Sequence, residues 1–182
     1  MSNKVKLDPL LLPDDVTDHI QGAAFAPVTL IEYADFECPS CLQAHAALKV
    51  IRPHFGDRLC FVFRHFPLRE AHPHAELAAE AAEAAGAQGK FWPMHELLFA
   101  NQQHLKEKQL LDYARQLDLD LPRYQNEMRD HVYLQRVQES MQSGRHLGVR
   151  STPAFYVNGD LTDVSFGFER LHQAIEKALE QT

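Results

Sequence analysis

Apolar positions along this chain follow two rhythms. From Val28 to Tyr33 nearly every residue of "APVTLIEYADF" is apolar. β-Branched residues and an aromatic ring in so short a run predict a central strand buried on both faces. "RLCFVFRHF", Arg58 to Phe66, has the same texture and predicts a second strand. Between them a helix opens at Pro39. Proline suits the first helical position, where its missing N–H has no intrahelical partner to lose. Leu42, Ala46 and Val50, four apart, predict an inward stripe, and Pro53 and Gly56 predict the stop. Strand, helix, strand in this order predicts a βαβ unit with a parallel pair. Residues 1–26 are polar and carry no strong period, which predicts an arm leading into the first strand.

From His74 to His146 the pattern turns helical. "AELAAEAAEAAGAQ" is built from the strongest helix formers, and Gly86 and Gly89 weaken its end. "WPMHELLFA" restarts with Pro93 in its first turn, and Phe91, Trp92 and Phe99 are expected in the core of this block. "KQLLDYARQL" and "LPRYQNEM" are short amphipathic pieces, the second with Asp120 as cap and Pro122 in its first turn. Asp130 is the expected cap of "HVYLQRVQESMQSGRHL", and Gly148 its expected close. Strand character then returns. "AFYVNGDLTDV" predicts a hairpin turning at Asn158-Gly159, and a last helix runs from about Phe168 to Glu180, with Leu171, Ile175 and Leu179 on one face. The plan is βαβ, a helical block, then ββα: a mixed sheet of at least four strands with a helical insertion.

Composition narrows the function classes. The 182 residues are 45% hydrophobic and 24% charged, which suits one globular domain. A net charge of -7 and the lack of a Lys/Arg run weigh against a nucleic-acid partner. Lys4 and Lys6 imitate the start of an export signal. The apolar run behind them, Leu10-Leu11-Leu12, is cut short by Pro13-Asp14-Asp15, whereas a signal needs ~7–15 apolar residues. No segment reaches the ~18 apolar residues of a membrane span. The expectation is a soluble cytoplasmic protein with no membrane partner, in a compartment where thiols stay reduced.

The chemistry concentrates in "YADFECPSCLQAH". Cys38 and Cys41 sit where a strand ends and a helix begins, with Pro39 and Ser40 between them. Free N–H groups and the helix dipole at that point favour a thiolate on Cys38. The two-residue spacing permits a strained ring disulfide that breaks and re-forms readily. Two rival readings stand beside this redox pair. One is half a zinc site with His45, which lacks the second pair of ligands such a site needs. The other is two small buried residues. Glu32, six residues before Cys38, is an acid in an apolar strand. At a solvated edge it is unremarkable. In a central strand burial raises its pKa and fits it to exchange a proton with a resolving cysteine. Pro153, after Thr152, opens a strand as an edge breaker or in a cis bond, and trans is the default because only ~5–6% of X–Pro bonds are cis. Cys60 alternates with Phe61 and Phe63 and reads as a buried, inert thiol. His72 and His74 flank Pro73 in a loop before a helix and read as loop and cap chemistry rather than a metal site.

Together "DFECPSC", "FVFRHFPL", "HPHAELAAEAAEAAGAQGKFWPMHELLF" and "STPAFYVNG" before a final helix resemble the DsbA-like branch of the thioredoxin superfamily, from about His19 to the C-terminus. The resemblance implies an α/β thioredoxin-like fold with an inserted helical domain: core at about 19–70 and 149–182, insertion at about 74–147. It implies a protein disulfide oxidoreductase with Cys38 as exposed nucleophile, Cys41 as resolving cysteine and Glu32 as buried acid. Pro153 matches the cis-proline facing the dithiol, and Thr152 the residue whose backbone pairs with an extended substrate segment by strand addition. Protein thiols or disulfides are the implied substrates, with a redox recycling partner and no metal or organic cofactor. Two positions depart from the pattern. Glu37 stands where many relatives have an aromatic, and Ser40 where the strongest oxidants have a histidine. Both are expected to leave the Cys38 thiolate less stabilised, giving a mild, reductase-like poise. The alternative is a client-binding chaperone or adaptor in which the dithiol is secondary.

Overall fold

The computed structural model describes residues 7–182, so Lys4 and Lys6 lie outside the described residues. The chain separates into two units. The first comprises residues 7–33, Ala46–Arg64 and Pro153–Thr182, and carries the body of the sheet. The second comprises Ala34–His45 and His65–Thr152, so it holds the CPSC turn together with the helical block.

Among the described residues the sheet has five strands, β1 (His19–Gly22), β2 (Val28–Ala34), β3 (Leu59–His65), β4 (Ala154–Val157) and β5 (Asp160–Thr162), in the order β1-β3-β2-β4-β5. β2 is central, as its unbroken apolar run predicts, and only Thr29 in it is not buried. It pairs antiparallel with β4, with Glu32 opposite Phe155. β4 and β5 form the predicted hairpin, and Asn158 and Gly159 both take positive φ, at 48° and 90°. Those angles are what a two-residue turn needs to match the twist of its strands.

β1 is the strand the sequence pattern conceals. It lies within the stretch read as an arm, spans four half-covered or exposed residues, and pairs antiparallel with β3, His19 opposite Phe63. So short a segment shows no period. The edge of β3 recruits it, and Arg64 holds it there. The Arg64 guanidinium grips Asp18 through two 2.7 Å bonds, donates to the Tyr33 hydroxyl at 3.0 Å and to the Leu12 carbonyl at 3.1 Å, and also reaches the Leu10 carbonyl.

Helix α1 (Pro39–Phe55) begins as predicted, but its buried face is not the predicted one. Leu42 and Val50 are 37% and 73% exposed, and Ala46 is exposed as well. The covered side runs Cys41, Ala44, Leu48, Ile51 and Phe55. Both stripes satisfy a helical period, and packing neighbours choose between them. Pro53 does not stop the helix. It sits in the last turn, and the chain turns at Gly56 with φ 52°.

The second unit contributes α2 (Ala75–Gly86), α3 (Phe91–Ala100), α4 (Glu107–Gln116), α5 (Leu121–Arg129) and α6 (Leu134–His146). Asp120 caps α5 by accepting the Arg123 N–H at 3.0 Å. Asp130 does not cap α6. It ends α5 and pairs with Arg129, and the chain needs a further turn through His131, φ 50°, before α6 begins. Gly148 closes α6 as predicted. Its N–H and that of Val149 bond to the carbonyls of Arg145 and Gly144, the paired pattern of a left-handed helix end. Phe91 and Phe99 are buried and Trp92 is half-buried, as core residues of this unit. Helix α7 (Glu169–Glu180) returns to the first unit and buries Leu171 and Ile175, with Leu179 half-buried.

Candidate active site

The helix α1 starts one residue after Cys38, and this placement makes Cys38 the cap of the helix. Its carbonyl accepts the N–H groups of Cys41 and Leu42 at 3.0 and 3.2 Å. Its sulfur takes the role that a capping oxygen plays elsewhere, receiving backbone N–H groups of the first helical turn. The two cysteines are not joined in a disulfide. The Cys41 thiol donates to the Cys38 sulfur, and this is the largest influence on it. Burial works the other way. The Thr152 side chain and the N–H groups of Cys41 and Ser40 add to the first effect, and the Cys38 thiol is pulled down to about 5. Thr152 meets Cys38 twice. Its carbonyl lies 3.5 Å from the sulfur, and its buried hydroxyl, which has no other hydrogen-bond partner among the described residues, can donate to the thiolate.

Cys38 departs from the expected exposed nucleophile. It is 6% exposed and Cys41 0%, while the tip of the turn, Pro39 and Ser40, stands open to solvent. The Thr152 contact covers the sulfur that a free turn would leave bare. Cys41 also accepts the backbone N–H of Asp35 at 3.5 Å.

Gln102, His72 and His74, distant in sequence, fasten the turn and the residues leading into it, and no local pattern announces them. The buried Gln102 amide donates to the carbonyls of Phe36 and Cys38 at 3.0 and 2.8 Å. Asp35, its carboxylate fully covered, accepts from the Glu37 N–H at 2.7 Å, the Leu68 N–H at 2.8 Å and His72 Nδ1 at 2.7 Å. Glu37 is turned onto His74, with 2.7 Å to its N–H and 2.8 Å to its Nδ1. His74 precedes α2, so the Glu37 carboxylate sits where a helix N-terminus favours an anion. The departure at position 37 is therefore tempered by a partner that sequence spacing does not reveal.

Glu32 and Pro153 belong to the first unit. Glu32 is 2% exposed, and burial pushes its carboxyl up to about 8 against the opposing charge of Arg52. Among the described residues its Oε1 has no hydrogen-bond partner. Pro153 is half-buried, directly before β4.

Residues 14–177 match the family model described as thioredoxin. The fold superposes on a thioredoxin-like oxidoreductase from Silicibacter pomeroyi with a TM-score of 0.82 at 26% identity, covering 95% of this chain and 98% of that one. It superposes on oxidised BdbD from Bacillus subtilis with a TM-score of 0.79 at 23% identity, covering 93% and 96%. The chain belongs to the thioredoxin family. Its α/β architecture is the thioredoxin-like fold with inserted helices. The curated relatives add a different setting. A protein of Salinispora arenicola named as a Na(+)/H(+) antiporter is 43% identical over 176 residues, covering 97% of this chain but 27% of that protein. The chain thus spans about a quarter of the length of the curated relatives it matches. Among the described residues no helix is long and apolar enough to cross a membrane.

Within this thioredoxin-family chain, Cys60 is buried in β3, and burial followed by the charge of Asp18 pushes its thiol up, as an inert core cysteine requires. Among the described residues, two groups of side chains in single units could offer three ligand atoms to a metal: His45, His95 and Glu96, and His54, His172 and Glu176. In the first, both imidazoles pack on the Phe99 ring at 4.8 and 5.0 Å.

Proposed function

We propose that this chain exchanges disulfides with protein thiols through Cys38 and Cys41. The observation that carries the reading is the Cys38 sulfur at the cap of α1, drawn down to about 5 with the Cys41 thiol bonded to it. At neutral pH such a group is an ionised nucleophile. The thiolate attacks one sulfur of a substrate disulfide. A new S–S bond forms to Cys38, the substrate S–S bond breaks, and the departing thiolate takes a proton from water. Cys41 then loses its proton and attacks the Cys38 sulfur, forming the intramolecular disulfide and releasing the second substrate thiolate, which is protonated in turn. Two electrons pass from the pair to the substrate, and the reverse sequence oxidises a substrate dithiol.

By the family likeness Glu32 is the group that takes and returns the proton of Cys41. A carboxyl near 8 is matched to that task at neutral pH. Thr152 and Pro153 are the residues expected to present backbone to an extended client segment. Pro39 and Ser40 are the exposed part of the turn. A thiol near 5 lies between the ~7 of a typical reductase and the ~3.5 of a strong oxidant, which supports a mild poise.

The test is turnover of a disulfide-bonded peptide with glutathione as the recycling couple. Cys38→Ser is expected to abolish exchange, and Cys41→Ser to accumulate a mixed disulfide visible as a mass adduct. Full activity in Cys38→Ser would sink the reading and favour a client-binding module. A potential near about -120 mV would sink the mild poise.

A further inference from the structure

The active-site turn from Glu37 to Cys41 contains no basic residue. Its backbone donors and the Cys41 thiol are neutral, and the side chain before Cys41 is the exposed hydroxyl of Ser40. An ionisable ring is tied to the residue that anchors the turn. His72 lies in the loop between β3 and α2, and its Nδ1 is 2.7 Å from Oδ2 of Asp35. The same carboxylate ties down the Leu68 N–H of that loop and the Glu37 N–H of the turn. The loop and the turn are thus fastened to one buried acid, and the imidazole has a fixed seat. The charged groups that face it are Asp35, Cys38 and Glu37. Burial disfavours its protonated form, and the bond to Asp35 with these negative charges outweighs that effect and raises its basicity.

We infer that His72 is a positioning residue for the Cys38 thiolate: seated on Asp35, it brings to the CPSC turn the positive charge that the turn itself lacks. Asp35 fixes the ring, and Glu37, which would otherwise compete for it, is held by His74 at 2.8 Å. A positive imidazole near a thiolate stabilises the reduced pair relative to the disulfide, so His72 makes the disulfide more oxidising. The coupling is reciprocal. If His72 favours the thiolate, converting that thiolate to a disulfide must weaken the hold of His72 on its own proton by the same factor.

This inference rests on reading Cys38 as the nucleophile, and its test does not depend on turnover. The first measurement is the pH midpoint of Cys38 alkylation in the reduced protein. His72→Gln keeps a hydrogen-bond donor to Asp35 and removes the charge. It is expected to raise the midpoint, lowering the thiolate fraction about three- to tenfold at pH values below the midpoint. It should shift the glutathione equilibrium by the same factor towards the disulfide. His72→Lys, which restores a charge, should recover part of the change. A midpoint in His72→Gln equal to that of the native protein would overturn the inference, since a role confined to hydrogen bonding survives that substitution. The second measurement needs no variant. The His72 ring is titrated by NMR in reduced and in oxidised protein. Its midpoint is expected to fall about three- to tenfold in proton affinity on oxidation, and equal midpoints would overturn the inference even if every variant failed to fold. Failure of the exchange reading itself would appear separately, as a native protein that alkylates normally but turns over no disulfide.

Discussion

Glu32 and Cys38 are both acids withdrawn from water, six residues apart, and they are displaced in opposite directions. The Glu32 carboxyl rises to about 8 and the Cys38 thiol falls to about 5. Burial penalises ionisation in each. The difference lies in donors. Cys38 caps a helix and collects the Cys41 thiol, the Thr152 side chain and two backbone N–H groups. Glu32 points from a central strand whose own N–H groups are committed to neighbouring strands, and its Oε1 has no partner among the described residues. Asp35, three residues beyond Glu32 and equally covered, accepts three hydrogen bonds. Burial acts against ionisation in both groups, and the supply of donors decides the sign.

The sharpest way to break the comparison is to remove the first donor. Cys41→Ala is expected to raise the alkylation midpoint of Cys38 from about 5 by roughly one to two pH units, the worth of one hydrogen bond to a charged group. An unchanged midpoint would mean that the thiolate owes little to its neighbours. A different measurement reads Asp35→Ala, which strands the Glu37 and Leu68 N–H groups and the His72 ring. We expect a loss of about 3–5 kcal/mol of stability, read from urea unfolding of the oxidised protein.

Glu32→Gln should act in the other direction. The folded pKa, about 8, lies above the ordinary value of 4.5, so the folded protein holds an extra proton between these limits. Its stability falls as pH rises through that window. Glu32→Gln lacks this loss. Its advantage over the native protein should be absent near pH 4, grow to on the order of 3 kcal/mol by pH 7, and level off above pH 8. Parallel unfolding curves at pH 4 and 8 with no change in the difference would show that Glu32 does not titrate there. The smallest effect belongs to Asp120, an exposed carboxylate with a single capping bond to Arg123. Asp120→Ala should cost about 1 kcal/mol by thermal unfolding, with no effect on Cys38 alkylation.

Several elements were legible because their causes are local. A Cys-Pro-Ser-Cys at a strand-to-helix junction, an Asn-Gly turn between apolar runs, a capping Asp before Leu-Pro and a Gly after a helix each act through neighbours in sequence. The misread elements share the opposite property. The exposed face of α1 carries Leu42 and Val50, because two apolar stripes compete on one helix and only packing selects between them. β1 exists because β3 offers it an edge.

What the sequence determined by itself was the class of chemistry: two cysteines at a helix start, preceded by an acid in an apolar strand, within a chain of thioredoxin-like pattern. What only the tertiary structure decided was the electrostatic setting of that pair. Asp35 meets His72 across 37 positions of chain, Glu37 meets His74 across the same span, and Thr152 reaches Cys38 across 114. Hydrogen bonds and charges act over a few ångströms of space, and the fold, not the spacing of residues along the chain, brings those few ångströms about.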